Sequence, residues 1–197
     1  MSDDEVPELP EKSNKKIALF ITVLALLLAL AELGAKSAQT EAIINTVSAS
    51  DSWSFYQAKS IRQTTLRTAA DSLELVAGND PASAVTKKQE QLISDWRKTA
   101  DRYESDPEKG EGKKELVERA QGFEHRRDAA VEHYHGYEIA GVLLQISVVL
   151  ASTSVVTGMA VFVWLASIGG IIGFAITMMT VLAPSMLHPL FAILGGH

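Results

Sequence analysis

The residues best placed to do chemistry are Glu132, His133, Tyr134 and His135. A Glu-x-x-His spacing puts a carboxylate and an imidazole on one face of a helix, the arrangement by which helical bundles hold metal ions. Glu124, His125 and Asp128 lie one to two turns away. A di-metal bundle needs a second such motif, and the sequence has none, so the expectation is an interfacial polar belt with no metal or cofactor. Because there is no cysteine, disulfides, thiolate chemistry and Cys-ligated metals are excluded. Trp53, Phe55, Tyr56, Gln57 and Lys59 form an aromatic knot, with Trp53 and Tyr56 expected to pack against a neighbouring helix rather than a ligand. Ser147, Ser152, Thr153, Ser154, Thr157, Thr177 and Thr180 are the hydroxyls that would line a pore in an oligomer. Such groups more often bond to their own helix or a neighbour, and no charged residue marks an ion path beside them. With no nucleophile–base pair, phosphate loop or complete metal set, the chain is not expected to be an enzyme.

The elements that position these residues follow from how charge is segregated. All 18 Lys and Arg lie before residue 128, and no Asp, Glu, Lys or Arg follows Glu138. A chain divided in this way is part soluble and part membrane. Residues 35–138 hold 18 acids and 15 bases. That near balance argues against nucleic acid, which needs a concentrated basic face. Residues 1–16 read as a disordered tail with Lys12, Lys15 and Lys16 at its end. Residues 17–34 follow as a first apolar span, with an uncleaved anchor preferred over a signal peptide. Glu32 is expected to pair with Lys36 one turn on.

Residues 35–138 read as a helical stalk. Its first arm, to residue 77, contains no Pro or Gly, and Ile43, Val47, Ile61, Leu66, Leu73 and Leu75 are interleaved with many Ser, Thr and Ala, so a long helix with a narrow, small-residue seam is expected. Gly78-Asn79-Asp80-Pro81 reads as a helix-to-helix turn. The second helix, about residues 81–104, presents Val85, Leu92, Trp96, Ala100 and Tyr103 on one face. A charged, Gly-rich break at residues 106–112 is expected to bury almost nothing. Residues 113–158 then read as one helix that starts in water and ends in lipid. Steps of four and three from Leu116 through Ala120, Phe123, Arg127 and Ala130 to Gly158 trace a heptad seam, and Gly136 is the cheapest place for a bend. At 1.5 Å per residue the first arm rises roughly 65 Å and the two descending helices together roughly 74 Å, so both are expected to run back beside the first.

Residues 139–158 and 161–182 read as the second and third transmembrane helices, and residues 183–197 as a short apolar C-terminal tail. Gly169 and Gly173, at GxxxG spacing, are expected to pack helices, and with the thin stalk they point to a homo-oligomer. The expected fold is therefore an all-α membrane protein: three transmembrane helices, with a coiled-coil-like helical-hairpin stalk between the first and second.

Two segments resemble a known family. Residues 53–60, Trp-Ser-Phe-Tyr-Gln-Ala-Lys-Ser, and residues 143–152, Leu-Leu-Gln-Ile-Ser-Val-Val-Leu-Ala-Ser, are similar to an uncharacterised bacterial membrane family known as domain of unknown function 4337. The resemblance runs from about residue 15 to 182. It implies a multi-pass protein of the bacterial inner membrane with a helical soluble insert, and it brings no activity or site residues. The functional expectation is a non-enzymatic, membrane-anchored scaffold or interaction protein. Its partners would be the lipid bilayer, copies of itself and a further protein on the stalk, with an oligomeric channel or transporter component as the alternative. Lys12, Lys15 and Lys16 flank the first span, and no base lies between the second and third, so the positive-inside rule places the stalk in the periplasm.

Overall fold

The structure, a computed structural model, describes residues 11–76 and 84–182. The turn expected at Gly78-Asn79-Asp80-Pro81, the first ten residues of the tail and the C-terminal tail from residue 183 lie outside them. The described residues form four helices: α1 (Glu11–Val76), α2 (Ala84–Glu104), α3 (Lys113–Thr157) and α4 (Ala160–Leu182). Among the described residues there is no strand. α1 begins at Glu11 rather than Ile17, so residues 11–16 are helical and not part of a disordered tail; after Pro10 no Pro or Gly interrupts propagation before Gly34. α3 runs as one continuous helix through Gly136. It ends at Gly158, whose φ of 70° is the left-handed geometry that glycine adopts freely, and Gly158 donates its N–H to Ser154 O at 2.9 Å.

The contacts divide the chain into two units, one formed by Met1–Ala42 and Asp128–His197, the other by Ile43–Arg127. In the first, Leu24, Ala31, Leu144, Ala151 and Ala166 form the core, with Phe20, Leu28 and Val148 packed around it. Its interior is otherwise small or hydroxyl-bearing: Gly136, Ala140, Gly141, Ser147, Gly170, Gly173, Thr177 and Thr180 are all buried. Large apolar side chains point outward instead, among them Leu19, Leu26, Leu33, Val149, Trp164 and Ile171, each more than half exposed. A small interior inside an apolar shell is what helices adopt when their surroundings are as apolar as leucine. α1, α3 and α4 are each long and apolar enough to cross a membrane.

In the second unit the order of contacts is antiparallel. Arg97 pairs with Asp71 and Glu74, Arg67 with Asp101, Gln63 with Glu104, Lys59 with Glu111 and Trp53 with Glu124. As the partner number rises along α2 and α3, the position on α1 falls. The buried row on α1 is the narrow seam of small and polar residues, with Leu66 and Leu73 half-buried. Asn45, Ala49, Ser52, Gln63 and Ala70 are buried, whereas Ile43, Val47, Ile61 and Leu75 are 58, 54, 68 and 89% exposed. The inner faces on α2 are Thr86, Ile93 and Ala100, which leaves Val85 and Leu92 turned outward. The reason is steric: alanine and serine let two helices approach closely along a seven-residue repeat, and the larger residues occupy the flanks.

The break between α2 and α3 is also more tightly held than its composition suggests. Glu115 accepts from Ser105 Oγ at 2.7 Å and from Asp106 N at 3.3 Å, Gly110 N donates to Asp106 O at 2.8 Å, and Gly112 is buried. The Ser105 hydroxyl, first among these contacts, holds the Glu115 carboxyl below the usual range.

Candidate functional site

The residues singled out by sequence separate into two places. Trp53 and Tyr56 meet edge to face with ring centroids 5.7 Å apart and planes at 80°. The indole of Trp53 donates to Glu124 Oε1 at 2.9 Å, so the polar edge of a half-buried ring is satisfied by α3. Tyr56 presents its face to Lys113, whose Nζ lies 5.4 Å from the ring centroid.

Beside this pair lies a knot that has no sequence motif. Gln63, only 4% exposed, donates from Nε2 to Ala100 O at 2.9 Å and to Glu104 Oε2 at 3.0 Å, and its Oε1 accepts from Lys113 Nζ at 3.0 Å. Lys113 also donates to Glu104 at 3.2 Å. The Gln63 amide, followed by the Lys113 ammonium, keeps the Glu104 carboxyl below its ordinary range. Among the described residues no buried side-chain nitrogen or oxygen lacks a partner. A buried carboxamide with both donors and its oxygen engaged fixes register, because sliding α1 by one turn would orphan them. The signal for Gln63 is spacing alone: it follows Ala49 by two heptads and precedes Ala70 by one, on the inner row of α1.

Gly169 and Gly173 are placed against α3. A Cβ on Gly169 would meet the Ser147 hydroxyl, and one on Gly173 would lie 2.9 Å from Leu144 Cγ and 3.2 Å from Ala140 O. Gly136 faces Thr180 in the same way, and this close approach accounts for a glycine there. The small-residue face that was expected to meet another copy is therefore filled within the chain. The hydroxyls of the apolar helices are committed locally too. Ser147 donates to Leu143 O at 2.7 Å, Ser152 to Val148 O at 2.8 Å and Thr180 to Ile176 O at 2.9 Å, while Ser154 donates to Met159 O at 3.2 Å. Thr153, Thr157 and Thr177 likewise donate four residues back.

The Glu132–His135 motif does not gather a ligand set. His135 Nδ1 and the Tyr134 hydroxyl both turn to Glu138, at 3.4 and 3.3 Å. The Glu138 charge raises the Tyr134 phenol above its ordinary range. Among the described residues no three His, Asp or Glu side chains come close enough to hold a metal ion. Glu32 does not meet Lys36; its carboxylate accepts from Gln145 Nε2 at 3.4 Å.

No curated protein and no solved structure matches the chain. Residues 13–183 match the family described as Domain of unknown function (DUF4337), and the chain belongs to that family.

Proposed function

We propose that the protein is a non-enzymatic membrane scaffold that assembles with copies of itself through residues 43–127, a helical-hairpin stalk between the first and second spans. The observation that carries this reading is the outer face of α1. Val47, Ile61 and Leu75 recur at intervals of two heptads and so share one face, yet they are 54, 68 and 89% exposed. Val85 and Leu92, one heptad apart on α2, are also exposed, at 66 and 42%. Meanwhile the inner row, Asn45, Ala49, Ser52, Gln63 and Ala70, is small or polar and gains little from being buried. A unit whose small and polar row faces in and whose larger apolar row faces out gains stability when a second copy covers the outer row as a coiled coil. In this reading the stalk lies on the periplasmic side of a bacterial inner membrane, with the Gly158 turn in the cytoplasm.

The test is the mass of the detergent-solubilised particle after subtraction of bound detergent. The wild type should give a multiple of 21.3 kDa. Val47→Ser with Ile61→Ser should lower the multiple while leaving helical content intact. A wild-type particle of one chain would overturn the proposal, as would an assembly that the double substitution leaves unchanged.

A further inference from the structure

A cleft of about 380 Å³ opens in the second unit between α1 and the junction of α2 with α3. Its chemistry differs from that of the rest of this nearly charge-balanced region. Lys59, Arg62 and Arg119 line it, and the single acid among the lining residues is Glu111. Lys59 occupies an inner-row position of α1, seven residues after Ser52, and its side chain is only 14% exposed. Its Nζ lies 3.6 Å from Glu111, longer than a hydrogen bond, so the pair attracts without using up the ammonium's donors. Arg119 donates Nη2 to Gly110 O at 2.9 Å, which fixes the guanidinium at the mouth and leaves most of its five donors for another acceptor. The walls between these cations are apolar: Leu116 is buried, Tyr103 is half-buried under Lys59, and Phe55 stands 63% exposed. Convergent cations on an apolar, aromatic wall match an anion with a flat body, and the volume falls at the lower end of the range for small-molecule sites.

We propose that this cleft binds a small organic anion, a carboxylate or phosphate monoester carried on a flat apolar body. The anionic head sits between Lys59, Arg62 and Arg119. The body lies against Phe55 and Tyr103. Glu111 is the internal competitor, holding Lys59 when the site is empty. Because every group belongs to one copy of the chain, the proposal does not depend on self-assembly.

The test is calorimetric titration of the full-length chain in detergent with phenyl phosphate, alongside inorganic phosphate and benzoate. Phenyl phosphate should bind saturably, one per chain. Replacing both Arg62→Gln and Arg119→Gln should weaken it about tenfold or more, since each removes a charge-assisted hydrogen bond. Glu111→Gln, which leaves all three cations in place, should tighten it, and no loss of fold can imitate that gain. Phe55→Ala should weaken phenyl phosphate and benzoate but not inorganic phosphate. Absence of saturable phenyl phosphate binding below about 10 mM would overturn the proposal. So would equal affinity for inorganic phosphate, or unchanged affinity in both the double-arginine and Glu111 variants.

Discussion

Gly173 offers the sharpest test of how the apolar helices are held together. A Cβ added there would lie 2.9 Å from Leu144 Cγ and 3.2 Å from the carbonyl oxygen of Ala140. Ordinary carbon contacts begin near ~3.5 Å, so α3 and α4 would have to part by roughly half an ångström or more. Neither neighbour yields easily: one is backbone, and the other is the branch point of a leucine that is fully buried. Overpacking of this kind costs about 1–3 kcal/mol. Gly122 is the matched control, because it lies inside α3 with nothing within 4 Å of its added Cβ. There Gly→Ala should stabilise by up to about 1 kcal/mol through helix propensity alone. Propensity favours alanine at both sites, so the difference between the two variants isolates the steric term, about 1–3 kcal/mol. Gly170→Ala should fall between them, since its Cβ meets Leu24 Cδ2, the movable end of a side chain. Reversible unfolding in mixed micelles, followed by circular dichroism, measures all three. If Gly173→Ala and Gly122→Ala shift stability equally and in the same direction, the close approach of α3 and α4 is wrong.

Two further outcomes follow from the second unit. Glu104 has its pKa lowered by Gln63 and Lys113, so folding binds its charged form; that stabilisation is complete above the ordinary glutamate range and is lost as pH falls through the depressed value. Acid titration of the wild type against Glu104→Gln should show a shallower acid limb in the variant, and identical limbs would mean that the knot around Gln63 contributes nothing to pH dependence. For orientation, single cysteines are introduced at Ser94, exposed on α2, and at Met159, exposed in the turn before α4. A membrane-impermeant thiol reagent applied to intact cells should label the first and spare the second, and the reverse pattern would move the stalk to the cytoplasm.

How much of this was legible depended on what the neighbouring surface was made of. On α3 the heptad steps from Leu116 are buried or half-buried as far as Val155, because there the apolar row and the contact row coincide; the last, Gly158, is exposed in the turn after the helix. On α1 they part company: of the apolar positions Ile43, Val47, Ile61 and Leu75 face outward and Leu66 and Leu73 are half-buried, while the contact row is Asn45, Ala49, Ser52, Gln63 and Ala70. Hydrophobic spacing identifies the face that water avoids, and when a chain covers its small-residue face itself, that is not the face it uses internally. Gly169 and Gly173 carry the same lesson on α4, where spacing announced a packing face but could not name its partner. The connection decides that. Only Gly158 and Met159 separate α3 from α4, and so short a tether holds the two helices at an effective concentration that a second copy diffusing in the bilayer has to outcompete. The glycine face of α4 is thus filled by α3 of the same chain. A second copy, to pack there, would have to displace α3 from a face on which Gly173 already lies against Leu144 and Ala140.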